Sequence, residues 1–228
     1  SLHFCLTGKK AKEYTNATTG QLVDPETKDW DYELIDMLGY PRKIFCPMTK
    51  PGTSLGCLRP ELAEKIGFDL EVVLPATHDT GSAVLAVPAN DDDFMYISSG
   101  TWSLMGVEAK EANCSMESME ANLTNEGGYD YRFRYIKNIM GLWMIQSVRH
   151  EYDDAYSFGQ ICEMAEECKD FPSRVDANDD CFLAPKSMVG EVKDYCRRTG
   201  QQVPETLGEI ATVIYASLAE CYAKTVQE

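Results

Sequence analysis

No part of the chain approaches the roughly 18 consecutive apolar residues that a membrane-spanning helix requires, and the opening Ser1-Leu2-His3-Phe4 lacks the basic, apolar and small-residue succession of a secretory signal. A membrane partner is therefore not expected, and the expected compartment is the cytoplasm. Cysteine is not scarce, but no two of the nine stand in a Cys-Xaa-Xaa-Cys pair and their number is odd. That distribution points to reduced thiols serving as small buried hydrophobes, with no metal or redox role. Positive charge is in short supply: 21 Lys and Arg stand against 37 Asp and Glu, a formal charge of -16. A field of that sign repels nucleic acid and anionic lipid. It leaves room for a nucleotide whose phosphates are neutralised by Mg²⁺. No internal repeat stands out.

What is present is an ordinary globular composition, since a 44% hydrophobic share of 228 residues suffices for one large domain or two small ones. The hydroxyl- and amide-rich string Tyr14-Thr15-Asn16-Ala17-Thr18-Thr19-Gly20 suits a loop or helix cap. Asp29-Trp30-Asp31 introduces a helix of about ten residues with Leu34, Ile35 and Leu38 on one face, stopped by Gly39 and Pro41. Pro60 opens a second short helix that Gly67 ends. The apolar, β-branched run Val72-Val73-Leu74 predicts a buried strand that delivers the chain to Ala76-Thr77-His78-Asp79-Thr80-Gly81, and the small residues from 82 to 87 form the next element.

After the charged turn Asn90-Asp91-Asp92-Asp93, residues 94–105 read as two strands joined through Gly100, and a domain boundary is placed near residue 90. The string Asn122-Leu123-Thr124-Asn125-Glu126-Gly127-Gly128 reads as a turn, and residues 131–136 alternate as a strand, with Asn138 just beyond. From 141 to 152, Leu142, Ile145 and Val148 share a helical face while Gln146 lies off that stripe, free to face a cleft. Residues 158–169, 187–198 and 207–226 are helical by period, with an acidic loop over 176–180.

The chemistry-bearing residues are His78, Asp79, Thr80, Gly100, Thr101, Asn138 and Gln146. Taken singly, each has a plain structural use: an aspartate that opens a helix caps it for about 1 kcal/mol, a histidine finds a hydrogen bond, and a Ser-Gly-Thr bend is a hairpin turn. Together they suit phosphoryl transfer. A sugar hydroxyl is a poor nucleophile, and a carboxylate in reach accepts its proton while neighbouring polar groups hold it in line. Glycine at 100 allows backbone to approach phosphate oxygens, and the Thr101 hydroxyl adds a donor.

Longer strings carry a resemblance. Glu13-Tyr14-Thr15-Asn16-Ala17-Thr18-Thr19 with Gln21-Leu22, Thr77-His78-Asp79-Thr80, the run from Tyr96 to Gly106 containing Ser98-Ser99-Gly100-Thr101-Trp102, Ala121-Asn122-Leu123-Thr124-Asn125-Glu126-Gly127-Gly128, and Lys137-Asn138-Ile139-Met140-Gly141-Leu142-Trp143 resemble the rhamnulokinase branch of the FGGY carbohydrate kinases. The resemblance implies an α/β, actin-like ATPase (ribonuclease H-like) fold, present in part. Residues 1–89 would close domain I, the sugar-binding side, and residues 90–228 would begin domain II, the nucleotide-binding side. It implies Asp79 as proton acceptor, His78, Asp79, Thr80 and Asn138 as ketose contacts, and Gly100, Thr101 and Gln146 as ATP contacts. ATP and Mg²⁺ would be the cofactors and L-rhamnulose the substrate, with fuculose- and xylulose-type kinases, and a sugar-binding protein without catalysis, as the alternatives.

The family's phosphate-binding hairpin with its Asp-Xaa-Gly pattern, and its late glycine-rich adenine loop, have no counterpart here. The chain is therefore expected to be an internal stretch of a longer protein, with sheet edges and core faces left uncovered.

Overall fold

A computed structural model describes residues 2–89, 91 and 94–227. Of the charged turn expected at 90–93, Asn90, Asp92 and Asp93 lie outside the described residues. Two compact units divide the chain: one holds Ser1–Tyr96 and Gly106–Ile136, the other Ile97–Met105 and Lys137–Glu228.

The first unit opens with helix α1 (Leu2–Thr7), strand β1 (Lys12–Glu13) and helix α2 (Tyr14–Thr18). The stretch read as a loop or cap is thus a one-and-a-half-turn helix, because the Glu13 side chain accepts the amides of Thr15 and Asn16 and caps it. Helix α3 (Tyr32–Met37) is shorter than the ten residues expected. Asp31 caps its start and Gly39, at φ 72°, turns the chain out of it. Ile35 is buried while Leu38 is exposed, so one residue of the expected stripe carries the packing. Strand β2 (Met48–Thr49) pairs in parallel with β1, placing Glu13 opposite Thr49.

Strands β3 (Ser54–Cys57) and β4 (Glu71–Val73) form an antiparallel pair on either side of helix α4 (Pro60–Ile66), which begins on proline and ends on left-handed Gly67 as its sequence dictates. The expectation of a buried strand at 72–74 needs correction. With a single partner strand, β4 leaves Val73 half exposed, and the buried residue is Leu74, one step past the strand's end. Helix α5 (Asp79–Leu85) follows directly.

Four further strands form one sheet: β5 (Met95–Ser99), β6 (Ser103–Ala109), β7 (Leu123–Gly127) and β8 (Phe133–Ile139), in the order β5-β6-β8-β7. The chain passes from one unit to the other within β5, β6 and β8. Helix α6 (Met116–Glu120) precedes β7. The stretch from 122 read as a turn is largely this strand: its turn-forming residues are held extended by the neighbouring strand, and Asn125 exchanges hydrogen bonds with the backbone of Asn113 at 2.8 and 2.9 Å. A tight bend at Asp130 and Tyr131, both at positive φ, delays β8 to Phe133, and Asn138 lies inside that strand.

The second unit is built on helices α7 (Trp143–Glu151), α8 (Phe158–Glu167), α9 (Met188–Arg198) and α10 (Leu207–Thr225), close to the spans their periodicity predicts. Ser157 and Thr206 each close a capping box, with Gln160 and Glu209 respectively. Ile145, Val148, Ile161, Phe182, Val192, Ile210 and Ile214 meet in one continuous core. Gly208 lets α10 approach α8: a Cβ there would lie 2.6 Å from the Met164 carbonyl oxygen.

Candidate active site

In the first unit, the segment from Leu74 to Gly81 carries the polar cluster. Its backbone is tied down at both ends. Leu74 exchanges hydrogen bonds with Gly52 and Thr53 (2.7 and 2.9 Å), and the Ser82 hydroxyl donates to the Ala76 carbonyl at 2.6 Å. His78 stands at the N-cap of α5, its carbonyl accepting the amide of Ser82, and Asp79 is the first helical residue. The Asp79 side chain is exposed, and one of its oxygens accepts the amide of Thr80 at 2.8 Å. Thr80 is buried and His78 half-buried. The strand end, cap and helix start therefore bring His78, Asp79 and Thr80 together, with the carboxylate facing out.

Below this segment lies Glu13, which is only 4% exposed. Its carboxylate accepts five hydrogen bonds: from the amide and hydroxyl of Thr15 (2.8 and 2.6 Å), the amide of Asn16 (3.2 Å), and the amide and hydroxyl of Thr77 (3.0 and 2.8 Å). The Thr15 oxygen in turn accepts the His78 amide at 3.3 Å. Four of the five converge on Oε2 and one on Oε1; a carboxylate offers about four lone-pair sites, so donors share them, and charge-assisted bonds of this kind are the strong ones. Glu13 thus clamps the N-terminus of α2 to the residues just before Asp79.

A buried charge pair stands beside the His78 ring. Arg134, in β8, is fully buried, and its Nη2 lies 2.8 Å from Oε2 of Glu126 in β7. The same carboxylate oxygen is 3.9 Å from Nδ1 of His78. Among the described residues His78 Nδ1, Glu126 Oε2 and Arg134 Nη1 are buried without a well-directed hydrogen bond, so the 2.8 Å approach is a contact of charges more than an aligned bond. Burial pushes the Tyr96 phenol well above its ordinary range, the charge of Arg134 working against that rise and those of Glu108 and Glu126 with it. Burial likewise raises the Tyr14 phenol to about 12.

In the second unit, the bend between β5 and β6 is fixed by the Gly100 amide donating to the Trp102 carbonyl at 3.0 Å. The carbonyls of Gly100 and Thr101 accept the amides of Leu142 and Trp143 at 3.0 and 3.1 Å. They supply partners to the first turn of α7, whose N-cap Leu142 has no capping side chain. Thr101 is exposed, and its hydroxyl donates to the amide oxygen of Gln146 at 3.3 Å. Gly100, Thr101 and Gln146 are therefore adjacent, as their assignment to one ligand requires. Asn138 is an exposed residue of β8.

Glu126 and Arg134 receive no role from the sequence, and Glu13 stands there only as the first letter of a family string. The one signal for Glu13 is its position two residues before a threonine at a helix start. Nothing in the periodicity marks the other two. All nine cysteines are free thiols, but the expectation of buried hydrophobes holds only for Cys196: Cys5, Cys46, Cys57, Cys114 and Cys162 are exposed. Among the described residues no group of three or more His, Cys, Asp and Glu stands together to hold a metal ion, and no helix is long and apolar enough to cross a membrane.

The mixed α/β fold is that of the actin-like sugar kinases, and solved structures of that class superpose on it. The xylulose kinase from Rhodospirillum rubrum matches 99% of this chain and 45% of its own at a TM-score of 0.67 and 16% identity; the gluconate kinase from Lactobacillus acidophilus matches 94% and 44% at 0.64 and 16%. The chain belongs to the FGGY family of carbohydrate kinases, matching its N-terminal domain over residues 1–86 and its C-terminal domain over residues 95–228. Among curated relatives, the rhamnulokinase of Halalkalibacterium halodurans is 54% identical over 226 residues, which are 99% of this chain and 48% of the relative. That of Oceanobacillus iheyensis is 49% identical, covering 100% and 48%, and that of Bacillus subtilis 43%, covering 100% and 47%. The chain spans about half the length of the curated relatives it matches.

Proposed function

We propose that the protein carrying this chain transfers the γ-phosphoryl group of ATP to a ketose, converting L-rhamnulose to L-rhamnulose 1-phosphate, with Asp79 as general base. The observation that carries the reading is the exposed Asp79 carboxylate, set on a turn that Glu13 clamps from beneath, in a chain 54% identical to a protein named rhamnulokinase. Asp79 accepts the proton of the sugar's primary hydroxyl as its oxygen attacks phosphorus and the bond to the ADP leaving group breaks. His78, Thr80 and Asn138 hold the ketose so that the attacking oxygen stays in line, and positioning of this kind supplies much of the rate where there is little covalent chemistry.

Gly100, Thr101 and Gln146 would meet the nucleotide. They fit that role through the exposed Thr101 hydroxyl, on a bend whose own backbone is already braced, 3.3 Å from the side-chain amide oxygen of Gln146 on α7. Mg²⁺ bound to the ATP phosphates would supply neutralisation of the charge on the transferred group. Nine free thiols and a strongly acidic surface support a cytoplasmic protein with no nucleic-acid partner.

The test is ADP release from MgATP with a panel of L-rhamnulose, L-fuculose and D-xylulose, and identification of the sugar product by NMR. The reading expects the highest kcat/KM with L-rhamnulose and phosphate on O1. No turnover with any ketose would sink it.

A further inference from the structure

We propose that Glu126, pinned by the buried guanidinium of Arg134, is a positioning residue for His78: it takes the proton-bearing side of the imidazole at Nδ1 and leaves Nε2 as a hydrogen-bond acceptor for a sugar hydroxyl. The inference rests on the reading of His78 as a ketose contact, and it adds to that reading the protonation form in which the ring works.

The argument begins with the cost of the pair. A fully buried arginine and a largely buried glutamate lose their hydration, and attraction between them offsets that loss only when geometry is good. Here the geometry is not optimal for the pair alone. Arg134 Nη1 is left without a partner, Nε and Nη2 reach the Gly127 carbonyl only at 3.4 Å, and Glu126 Oε2 takes no well-directed donor. The carboxylate nevertheless lies 2.8 Å from the charged Nη2, and it stands 3.9 Å from the buried Nδ1 of His78.

A neutral imidazole has one N–H and one bare nitrogen, and the partner of one decides the state of the other. A carboxylate only accepts. Nδ1, facing Glu126, is therefore the N–H, and Nε2 is bare. The 3.9 Å gap exceeds a direct hydrogen bond, and a small ring rotation or one bridging water closes it. Rotation about the side chain is the freedom that remains, because the His78 amide is bound to Thr15 and its carbonyl to the α5 helix. The charged neighbours on the packed elements are Asp79 on α5, Glu126 on β7, Arg134 on β8 and, through Thr15 and Thr77, Glu13 ahead of α2. A bare Nε2 matters for a sugar because a hydroxyl whose own oxygen receives a donor needs an acceptor for its hydrogen.

The experiment is long-range ¹H–¹⁵N correlation on the intact protein labelled at histidine, under mildly alkaline conditions and without sugar. The His78 signals are assigned by their loss in His78→Gln. Wild type is expected to show Nδ1 with the shift of a protonated nitrogen and Nε2 with that of a bare one. Glu126→Gln keeps an acceptor oxygen and is expected to keep this tautomer. Glu126→Leu should release the ring to the Nε2–H form and raise the sugar KM about tenfold, the equivalent of roughly 1.4 kcal/mol, with a smaller change in kcat. An Nε2–H tautomer in wild type, or an unchanged tautomer in Glu126→Leu, overturns the proposal. Should the leucine variant fail to fold, the wild-type spectrum alone decides. Because the tautomer is read without turnover, failure of the kinase reading would appear separately, as absence of phosphorylation in a protein whose His78 is still Nδ1–H.

Discussion

The carboxylate of Glu13 and the hydroxyl of Thr77, separated by 64 positions in the chain, meet at 2.8 Å. Every one of the five contacts to Glu13 comes from a donor, so an amide in its place turns an NH₂ toward groups that are themselves N–H or O–H. Glu13→Gln is therefore expected to lower stability by about 2 kcal/mol, read as a fall in the denaturation midpoint with an unchanged slope, and to reduce kcat/KM for the sugar as the Asp79 turn loosens. A midpoint equal to wild type would mean that the five contacts are not made.

Around the bend proposed to meet the nucleotide, the corresponding constraint is steric. A Cβ at Gly141 would lie 2.5 Å from the Ser103 hydroxyl, 2.7 Å from its amide and 2.9 Å from the Gly100 carbonyl. Two of these are backbone atoms, one of Gly100 in the bend that carries Thr101 and one of Ser103 at the start of β6, and backbone yields little. Gly141→Ala should cost about 2 kcal/mol and raise the KM for ATP more than that for the sugar. Equal effects on both would show that the bend is not part of the nucleotide side.

The pH dependence of α10 follows from its cap. Backbone amides, that of Thr206 first and that of Glu205 second, hydrogen-bond the Glu209 carboxylate and hold its pKa below the ordinary 4.5. A carboxyl depressed in the folded state contributes stability that is present above the ordinary value and lost as pH falls through the folded one. Glu209→Gln keeps a neutral cap and loses only that contribution. At neutral pH the variant should be less stable by about 0.5 kcal/mol, a small figure because the cap is open to solvent. The difference should close on acidification below the ordinary carboxylate range. A gap that widens in acid would reverse the sign of the argument.

The sequence is most legible where structure is local. Helices α8, α9 and α10 announce themselves by apolar period, and the structure adds their caps: the side chains of Ser157, Ser187 and Thr206 accept the amides at their starts. Gly100 marks the bend between β5 and β6, and the strand-to-helix turn at Asp79 is visible because β-branched residues give way abruptly to polar and then small ones.

What is illegible is set at a distance. Strand β7 hides within a string of Asn, Thr and Gly that favours turns, and only its neighbour in the sheet holds it extended. Val73 was expected in a core and is half exposed, since a two-stranded pair covers too little of it. Glu126 and Arg134 have no signature that marks their pairing, and Glu13 has only its place two residues before a threonine at a helix start. Glu13 reaches Thr77 and Glu126 reaches His78 across tens of residues, which no window along the chain reveals.

The most direct measurement is the comparison of wild type with Asp79→Asn on L-rhamnulose and MgATP in the intact protein, with sugar affinity measured separately by calorimetry. Asparagine keeps the size and the hydrogen bond to Thr80 and removes the base. The account predicts a kcat lower by a factor of about 10² to 10⁴ with the sugar dissociation constant changed only a few-fold. A variant that retains wild-type turnover would contradict it, and so would one that loses sugar binding while the phosphoryl-transfer rate on bound sugar stays the same.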